Sequence, residues 1–424
     1  MTADKSKTAK TPKKPRKSKT TAAAPERPFD IVIFGATGFT GKLTAKYLAT
    51  CGEANQLRWA IAGRSPSKLD SVKQTLTGLN PVCKDLGLIN AEITDTRSLK
   101  QMAEQAKVVI STVGPYLNYG EQVVKACVEA GTHYVDLTGE PEFVDAMIHY
   151  YHEVAEKKQV KIVNSCGFDS IPHDLGALFA VNALNDLLGQ DRAGKTPITV
   201  EGFVTAGGTF SGGTWHSAIT QFSRIREYER KRRAWRKDQP KSLSRRKITG
   251  VTPNLQFRRE FGAWACPFPT IDPQVVKRSA RARENYGPNF KYGHYLLVNQ
   301  LPKLAVGAMG IGGVLALSQF KKTRSWLLNV KDPGQGPTQS QMDNGWFKVR
   351  MIAEAEGLHA WAEVTGGDPG YGETAKMLAE SALCLAFDTQ KIPAQFGVVT
   401  PAIAMGEPLI ERLQKAGIEF NLLS

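Results

Sequence analysis

No two of the six cysteines (Cys51, Cys83, Cys127, Cys166, Cys266 and Cys384) stand in a C-x-x-C spacing, and no secretory leader precedes them. A disulfide framework and a thiolate zinc site are therefore not expected, and the compartment reads as reducing and cytosolic. No Ser-His-Asp spacing, paired-carboxylate arrangement or metal-ligand cluster stands out. Covalent and metal mechanisms have no support at this level, and no metal ligand is expected. Long apolar runs are scarce as well. Residues 304–320 are uncharged, but they number only 17 and include four glycines, at the lower edge of what a membrane span requires. No second span exists to return the chain. Two readings stay open for this segment. One is a buried glycine-rich element. The other is a loop or helix dipping into one leaflet, flanked by Lys303 on one side and Lys321, Lys322 and Arg324 on the other.

What is present is basic and unevenly placed. The formal charge of the 424 residues is +15, and residues 1–28 hold nine Lys or Arg against two acids with almost no large apolar side chain. Such a stretch cannot bury enough surface to offset the entropy of ordering, so a disordered basic tail is expected there. A second cluster, REYERKRRAWRKDQPKSLSRRK at 226–247, has eleven basic residues against three acids. Either cluster suits an anionic membrane or simple solvation. Nothing resembles a nucleic-acid module, and no nucleic acid is expected as a partner.

From Phe29 the chain alternates short apolar runs with amphipathic stretches: FDIVIF, LRWAIAG, LINAEI, KVVISTVG, HYVDLTG and VKIVNSCG read as strands separated by helices. Six strands with intervening helices predict an α/β chain whose N-terminal part, residues 29–175, is a doubly wound Rossmann domain. A second, mixed α/β domain facing substrate or membrane is expected over 176–385. Residues 386–424 are expected to return to the first domain.

In GATGFTG the glycines are Gly35, Gly38 and Gly41, directly after the first strand and before a helix expected near Thr40. The first permits a turn, the second lets backbone approach a pyrophosphate, and the third lets helix pack on strand. Gly35, Thr37, Gly38, Phe39, Thr40 and Gly41 are thus candidate cofactor residues, with the pyrophosphate at the helix's positive end. At the end of the second strand an NAD enzyme would place an acid, but the chain reads AGRSPSKL. Arg64, Ser65 and Lys68 offer cationic and hydroxyl donors suited to a 2′-phosphate, so NADP is favoured. The fourth strand ends in STVGPY, where Thr112, Val113, Gly114 and Pro115 would lie along the nicotinamide ribose and Tyr116 would project toward substrate. DLTGE at 136–140 and NSCGFDSIPHD at 164–174 lie in the same row of loops, with Asp169 or Ser170 as caps and Pro172 in a first helical turn.

GATGFTG, AGRSPSKL, STVGPYLNYGEQVVKACVEAGTHYVDLTGE, CGFDSIPHDLG, FSGGT, GDPGY and PAIAMGEPLIERLQKAGIEF together resemble the saccharopine dehydrogenase-like oxidoreductases, in particular the trans-acting enoyl reductase branch. That resemblance implies an NADPH-binding Rossmann domain, a hydrophobic cleft, and reduction of a carbon-carbon double bond in a lipid-like or polyketide acyl chain presented by a partner synthase. Other members are bound to membranes or lipid droplets, which implies peripheral attachment on the cytoplasmic face. Two alternatives stay open: amino-acid or imine chemistry of the saccharopine type, and NADP(H) binding without turnover. An enoyl reductase needs donors for a developing enolate and a proton for the α-carbon. Tyr116, His216 and Tyr371 are the catalytic candidates, with Ser211 and Thr214 as further donors.

Overall fold

The computed structural model describes residues 27–207, 212–238, 246–330 and 337–423. The apolar run Phe29–Phe34 forms β1, in which Ile31, Val32 and Ile33 are wholly buried, as expected of a parallel strand covered on both faces. It is followed by β2 (Trp59–Gly63), β3 (Gly87–Asn90), β4 (Ala106–Ser111), β5 (His133–Asp136) and β6 (Lys161–Val163). These six strands run parallel in the order 6-5-4-1-2-3, so the order reverses between β1 and β4 and opens a crevice at their carboxyl ends. Each connection carries a helix: Phe39–Thr50, Pro66–Leu79, Thr96–Glu104, Tyr116–Ala130 and Pro141–Lys157.

The second sheet is mixed. It contains β7 (Ile198–Gly207), β8 (Lys247–Gly250), β9 (Gln256–Arg258), β10 (Ala263–Pro267), β11 (Asn289–Val298), β12 (Trp346–Ala355) and β13 (Leu358–Gly366). Strands β12 and β13 are joined by Glu356 and Gly357, both with positive φ (50° and 76°), the two-residue turn whose twist matches flanking strands. The apolar helix Ile171–Leu188 lies against β12 and β13, where Gly176 brings its backbone close to Val364 and Met351. One core therefore runs from Ile31 and Ile33 through Leu175 and Leu378 to Val349 and Met351.

Several expectations are corrected. Helix Gly372–Phe387, placed by sequence in the second domain, packs instead on helix Phe39–Thr50 and against β1, β4 and β5. Tyr47 fastens it by donating to Glu380 Oε1 at 2.6 Å, and Arg412 bridges Glu53 and Glu380. The C-terminal segment serves both sheets: β14 (Gly397–Val399) extends the parallel sheet beside β6, and β15 (Glu419–Leu423) pairs with β13. Residues 1–26 lie outside the described residues, but Arg27, assigned to a disordered tail, is anchored. Its guanidinium donates to the carbonyls of Ala106, Ala130 and Gly131 and to Thr132. The segment 301–320 is not a buried element. It contains helix Leu301–Ser318, with Met309 69% and Ile311 60% exposed.

Candidate active site

The carboxyl end of β1 leads straight into the glycine loop. Gly35 has φ +89°, and a Cβ there would lie 2.7 Å from both Thr112 Oγ1 and Val113 Cγ2. Gly41 is tighter still, since its Cβ would stand 2.3 Å from the Gly35 carbonyl oxygen and 2.9 Å from Ala36 Cα. Only glycine lets the helix start this close to the turn. Gly38 is the N-cap of helix Phe39–Thr50, with ordinary extended dihedrals and a Cβ position facing largely open space. Among the described residues the amides of Phe39, Thr40 and Gly41 have no acceptor, and no acid stands in the first turn. Three unspent donors at the positive end of a helix form an anion site.

Arg64 and Lys68 are exposed at the end of β2 and on the first turn of helix Pro66–Leu79, and neither forms an ion pair with a described residue. Ser65 is the N-cap, its hydroxyl 3.3 Å from that of Ser67. They stand at the end of the second strand, the position where an acid would select NAD in a dinucleotide-binding sheet. Across the crevice, Thr112 donates to the carbonyls of Phe34 and Gly35 at 3.2 and 3.1 Å, tying β4 to the turn. Val113 packs beside it, and the Gly114–Pro115 peptide is cis.

Tyr116 does not project toward the substrate side. It is buried at the start of helix Tyr116–Ala130, its ring 5.8 Å from that of Phe143 and its hydroxyl donated to the Ser111 carbonyl at 2.9 Å. The helix end is instead held by Glu140, whose buried carboxylate accepts the amides of Tyr116 (3.1 Å) and Leu117 (2.8 Å) and the hydroxyl of Ser217 (2.8 Å). Burial raises the Glu140 pKa despite these donors.

Tyr371 is brought to the glycine loop by helix Gly372–Phe387: its ring meets Phe39 edge-on at 4.8 Å, and its hydroxyl is buried without a partner. Burial, then the nearby Asp368, raises its pKa. His216 is half-buried near the start of helix Gly212–Asp238, the helix that crosses the DLTGE loop through Ser217 and through Gln221, which donates to the Gly139 carbonyl at 3.2 Å. Ser211 and the side chain of Thr214 lie outside what is described. The same helix carries most of the basic cluster, and part of it is committed: Lys231 pairs with Glu142 at 2.9 Å, beside Arg224 at 3.0 Å, and Arg232 pairs with Asp145 at 3.2 Å.

The remaining loops bring together acidic residues that the sequence marks at most as helix caps. Asp136 is buried and accepts from Thr138 N, Ser165 N, Asn164 Nδ2 and Tyr134 Oη at 2.7–3.0 Å, yet desolvation still pushes it up to about 6. Asp169 is exposed beside the DLTGE loop, its Oδ2 2.8 Å from where a Cβ on Gly139 would lie. Close protein on its other sides, then the charge of Asp272, raises it to about 6. Behind it lie His173, Asp272 and His294, all buried, with His173 Nδ1 2.9 Å from Asp272 Oδ1. Burial lowers His294 to about 4, so its ring is neutral near pH 7.

The profile of the saccharopine dehydrogenase NADP-binding domain matches residues 31–163, the span that holds the glycine loop, Arg64 and β4. A saccharopine dehydrogenase-like oxidoreductase of Mus musculus is 34% identical over 437 residues, covering 95% of this chain and 99% of its own length. The chain belongs to the saccharopine dehydrogenase-like oxidoreductases. A trans-acting enoyl reductase of Mycobacterium ulcerans is 32% identical over 420 residues, covering 93% of this chain and 97% of that protein. Among solved structures, the apo saccharopine dehydrogenase (L-Glu forming) of Saccharomyces cerevisiae shares the fold at a TM-score of 0.52 and 14% identity, covering 93% of this chain and all of that one.

This family member is an NADP-binding oxidoreductase, and its residues fit the cofactor: a glycine cradle, unspent helix amides, and exposed cations where an acid would otherwise select NAD. Glu140 and the cluster behind Asp169 were missed because their partners are far away in sequence. The one local signal was His173 within the IPHD turn, placed between a first-turn proline and an aspartate.

Proposed function

We propose that this oxidoreductase reduces the carbon-carbon double bond of a lipid-like acyl thioester, presented by a synthase at an anionic membrane surface on the cytoplasmic side. The observation that carries the reading is the apolar hairpin formed by helix Leu301–Ser318 and helix Lys321–Leu328. Met309, Ile311, Phe320 and Trp326 stand exposed along it, and Cβ positions at Gly307, Gly310, Gly312 and Gly313 meet nothing within 4 Å. Exposed Lys321 and Lys322 border it. Apolar surface rimmed by cations suits the boundary between headgroups and acyl chains, and among the described residues no helix is long and apolar enough to cross a membrane. The hairpin is wired to the cleft. Trp215 donates to the Leu327 carbonyl at 2.7 Å and Gln319 to the Phe222 carbonyl at 2.8 Å, on the helix whose Ser217 reaches Glu140. An acyl chain leaving the bilayer would follow that helix inward.

NADPH, when bound, supplies the hydride. The chain's own part is to hold the diphosphate on the Phe39–Gly41 amides, to read the 2′-phosphate with Arg64 and Lys68, and to stabilise the oxygen on which charge develops. Tyr371, with its unpartnered hydroxyl, and His216 are the donors assigned to that oxygen. Tyr116 is not among them, because its hydroxyl is spent on Ser111.

The test combines NADPH oxidation with enoyl thioesters and flotation on anionic vesicles. Acceptor-dependent oxidation and flotation that is lost in Met309→Glu/Ile311→Glu are expected. Oxidation with soluble amino-acid adducts alone would replace the reading with saccharopine-type chemistry. Vesicle binding unaffected by the double substitution would remove the hairpin from it.

A further inference from the structure

His173 in the first turn of helix Ile171–Leu188, Asp272 at the first position of helix Asp272–Ala282, and His294 on β11 converge from three separate elements. They are 2%, 2% and 7% exposed. His173 Nδ1 lies 2.9 Å from Asp272 Oδ1, His294 Nε2 lies 3.6 Å from Asp272 Oδ2, and one ligand atom from each residue falls within 4.8 Å of the others. The Nε2 atoms of His173 and His294 are buried without a hydrogen-bond partner, and the 2.9 Å contact between His173 Nδ1 and Asp272 Oδ1 is too poorly aligned to satisfy either atom fully. Such atoms are expensive to leave unsatisfied, and a buried carboxylate more so. Among the described residues no Lys or Arg pairs with Asp272 to balance it.

The surroundings orient these groups toward one point. Thr270 donates its hydroxyl to Asp272 Oδ2, and Tyr292 Oη lies 3.4 Å from His294 Nδ1, leaving Nε2 turned toward Asp272. Outer partners that fix ring and carboxylate orientation in this way are characteristic of ligated histidine and aspartate. Phe168 and Phe268 close the sides, each with its ring centroid 5.8 Å from a histidine ring. Metal–nitrogen and metal–oxygen bonds of about 2.0–2.2 Å in a tetrahedral array put ligand atoms about 3.3–3.6 Å apart. The two contacts to Asp272, 2.9 Å from His173 and 3.6 Å from His294, lie close to that value, and one ligand atom from each of the three residues falls within 4.8 Å of the others.

We propose that His173, Asp272 and His294 bind one divalent transition-metal ion of the zinc type, with a fourth position left for water. The ion neutralises Asp272 and joins the second sheet to two helices close to Asp169. A mixed nitrogen and carboxylate set with no thiolate suits zinc over softer-ligand metals.

The experiment is metal analysis of the full chain, purified without chelator or immobilised metal, followed by chelation and back-titration with zinc chloride. About one zinc per chain is expected, lost on chelation together with several degrees of melting temperature and restored by zinc. Asp272→Asn should weaken zinc binding by at least tenfold while its NADPH affinity, measured separately, shows that the fold persists. A metal-free protein whose melting temperature ignores added zinc would overturn the site and leave only the buried His173–Asp272 contact in its place. Full zinc retention in both Asp272→Asn and His294→Ala would overturn it equally. Neither result touches the assignment of the NADP site, which NADPH titration reports independently.

Discussion

Substituting alanine for Gly38 and, separately, for Gly41 splits cofactor binding from folding. At Gly38 the dihedrals (−76°, 171°) suit any L-residue, and the new Cβ would approach only the Gly35 carbonyl oxygen, at 3.3 Å. Fold stability should change by less than about 1 kcal/mol, because glycine's small N-cap advantage is set against the lower unfolded-state entropy of alanine. The methyl would, however, occupy the approach to the Phe39–Gly41 amides. Displacing the diphosphate from one charged hydrogen bond removes about 1.5–3 kcal/mol, or about a 10- to 150-fold rise in the NADPH dissociation constant. At Gly41 the Cβ would lie 2.3 Å from backbone oxygen, a clash that no rotamer relieves. Moving the helix away should cost at least about 1–3 kcal/mol of stability, with binding falling as a consequence. Calorimetric titration with NADPH and thermal melts of both variants make the comparison. Wild-type affinity in Gly38→Ala, or a larger melting loss there than in Gly41→Ala, would refute the placement of the diphosphate.

Arg64→Ala with Lys68→Ala should raise the NADPH dissociation constant about 10- to 100-fold and leave that for NADH unchanged, because only the 2′-phosphate distinguishes the two; a parallel loss for both nucleotides would refute the assignment. Tyr116→Phe should lower stability by about 1 kcal/mol through the lost bond to Ser111 and leave the pH profile of turnover unaltered. A profile that moves would return Tyr116 to the chemistry. Asp136 provides a pH test. Its folded pKa, about 6 against an ordinary 3.8, is raised, so the fold holds the proton more tightly than the unfolded chain. Stability from this group is complete below about pH 4 and declines to a plateau above pH 6, a loss of about 3 kcal/mol. Asp136→Asn should remove that decline, with Asn164 able to turn its unpartnered Oδ1 toward the new amide. Identical pH dependence in chemical denaturation of variant and wild type would disprove it.

How much was legible in the sequence follows from how local each feature is. The glycine loop depends on backbone constraints within GATGFTG, and the strand alternation on apolar runs of a few residues, so both can be read without knowing the rest of the chain. The choice of NADP is equally local, resting on AGRSPSKL at the end of one strand. Tyr116 shows the limit. Its position beside the crevice follows from the fold, but its orientation depends on Phe143 and the Ser111 carbonyl, which draw the ring inward. Arg27 lies in a stretch with too little apolar surface to order itself, yet carbonyls left at the ends of Thr96–Glu104 and Tyr116–Ala130 capture it.

By itself, then, the sequence determined a parallel dinucleotide-binding sheet, its cofactor and the family, since each is carried by short-range patterns. Only the tertiary structure decided that Tyr371 meets Phe39, that Glu140 caps the helix after Pro115, and that His173, Asp272 and His294 share one buried volume. Those contacts join residues far apart along the chain. They arise from how helix Gly372–Phe387 and the second sheet pack on the first domain, a result of whole-core complementarity that no local pattern encodes.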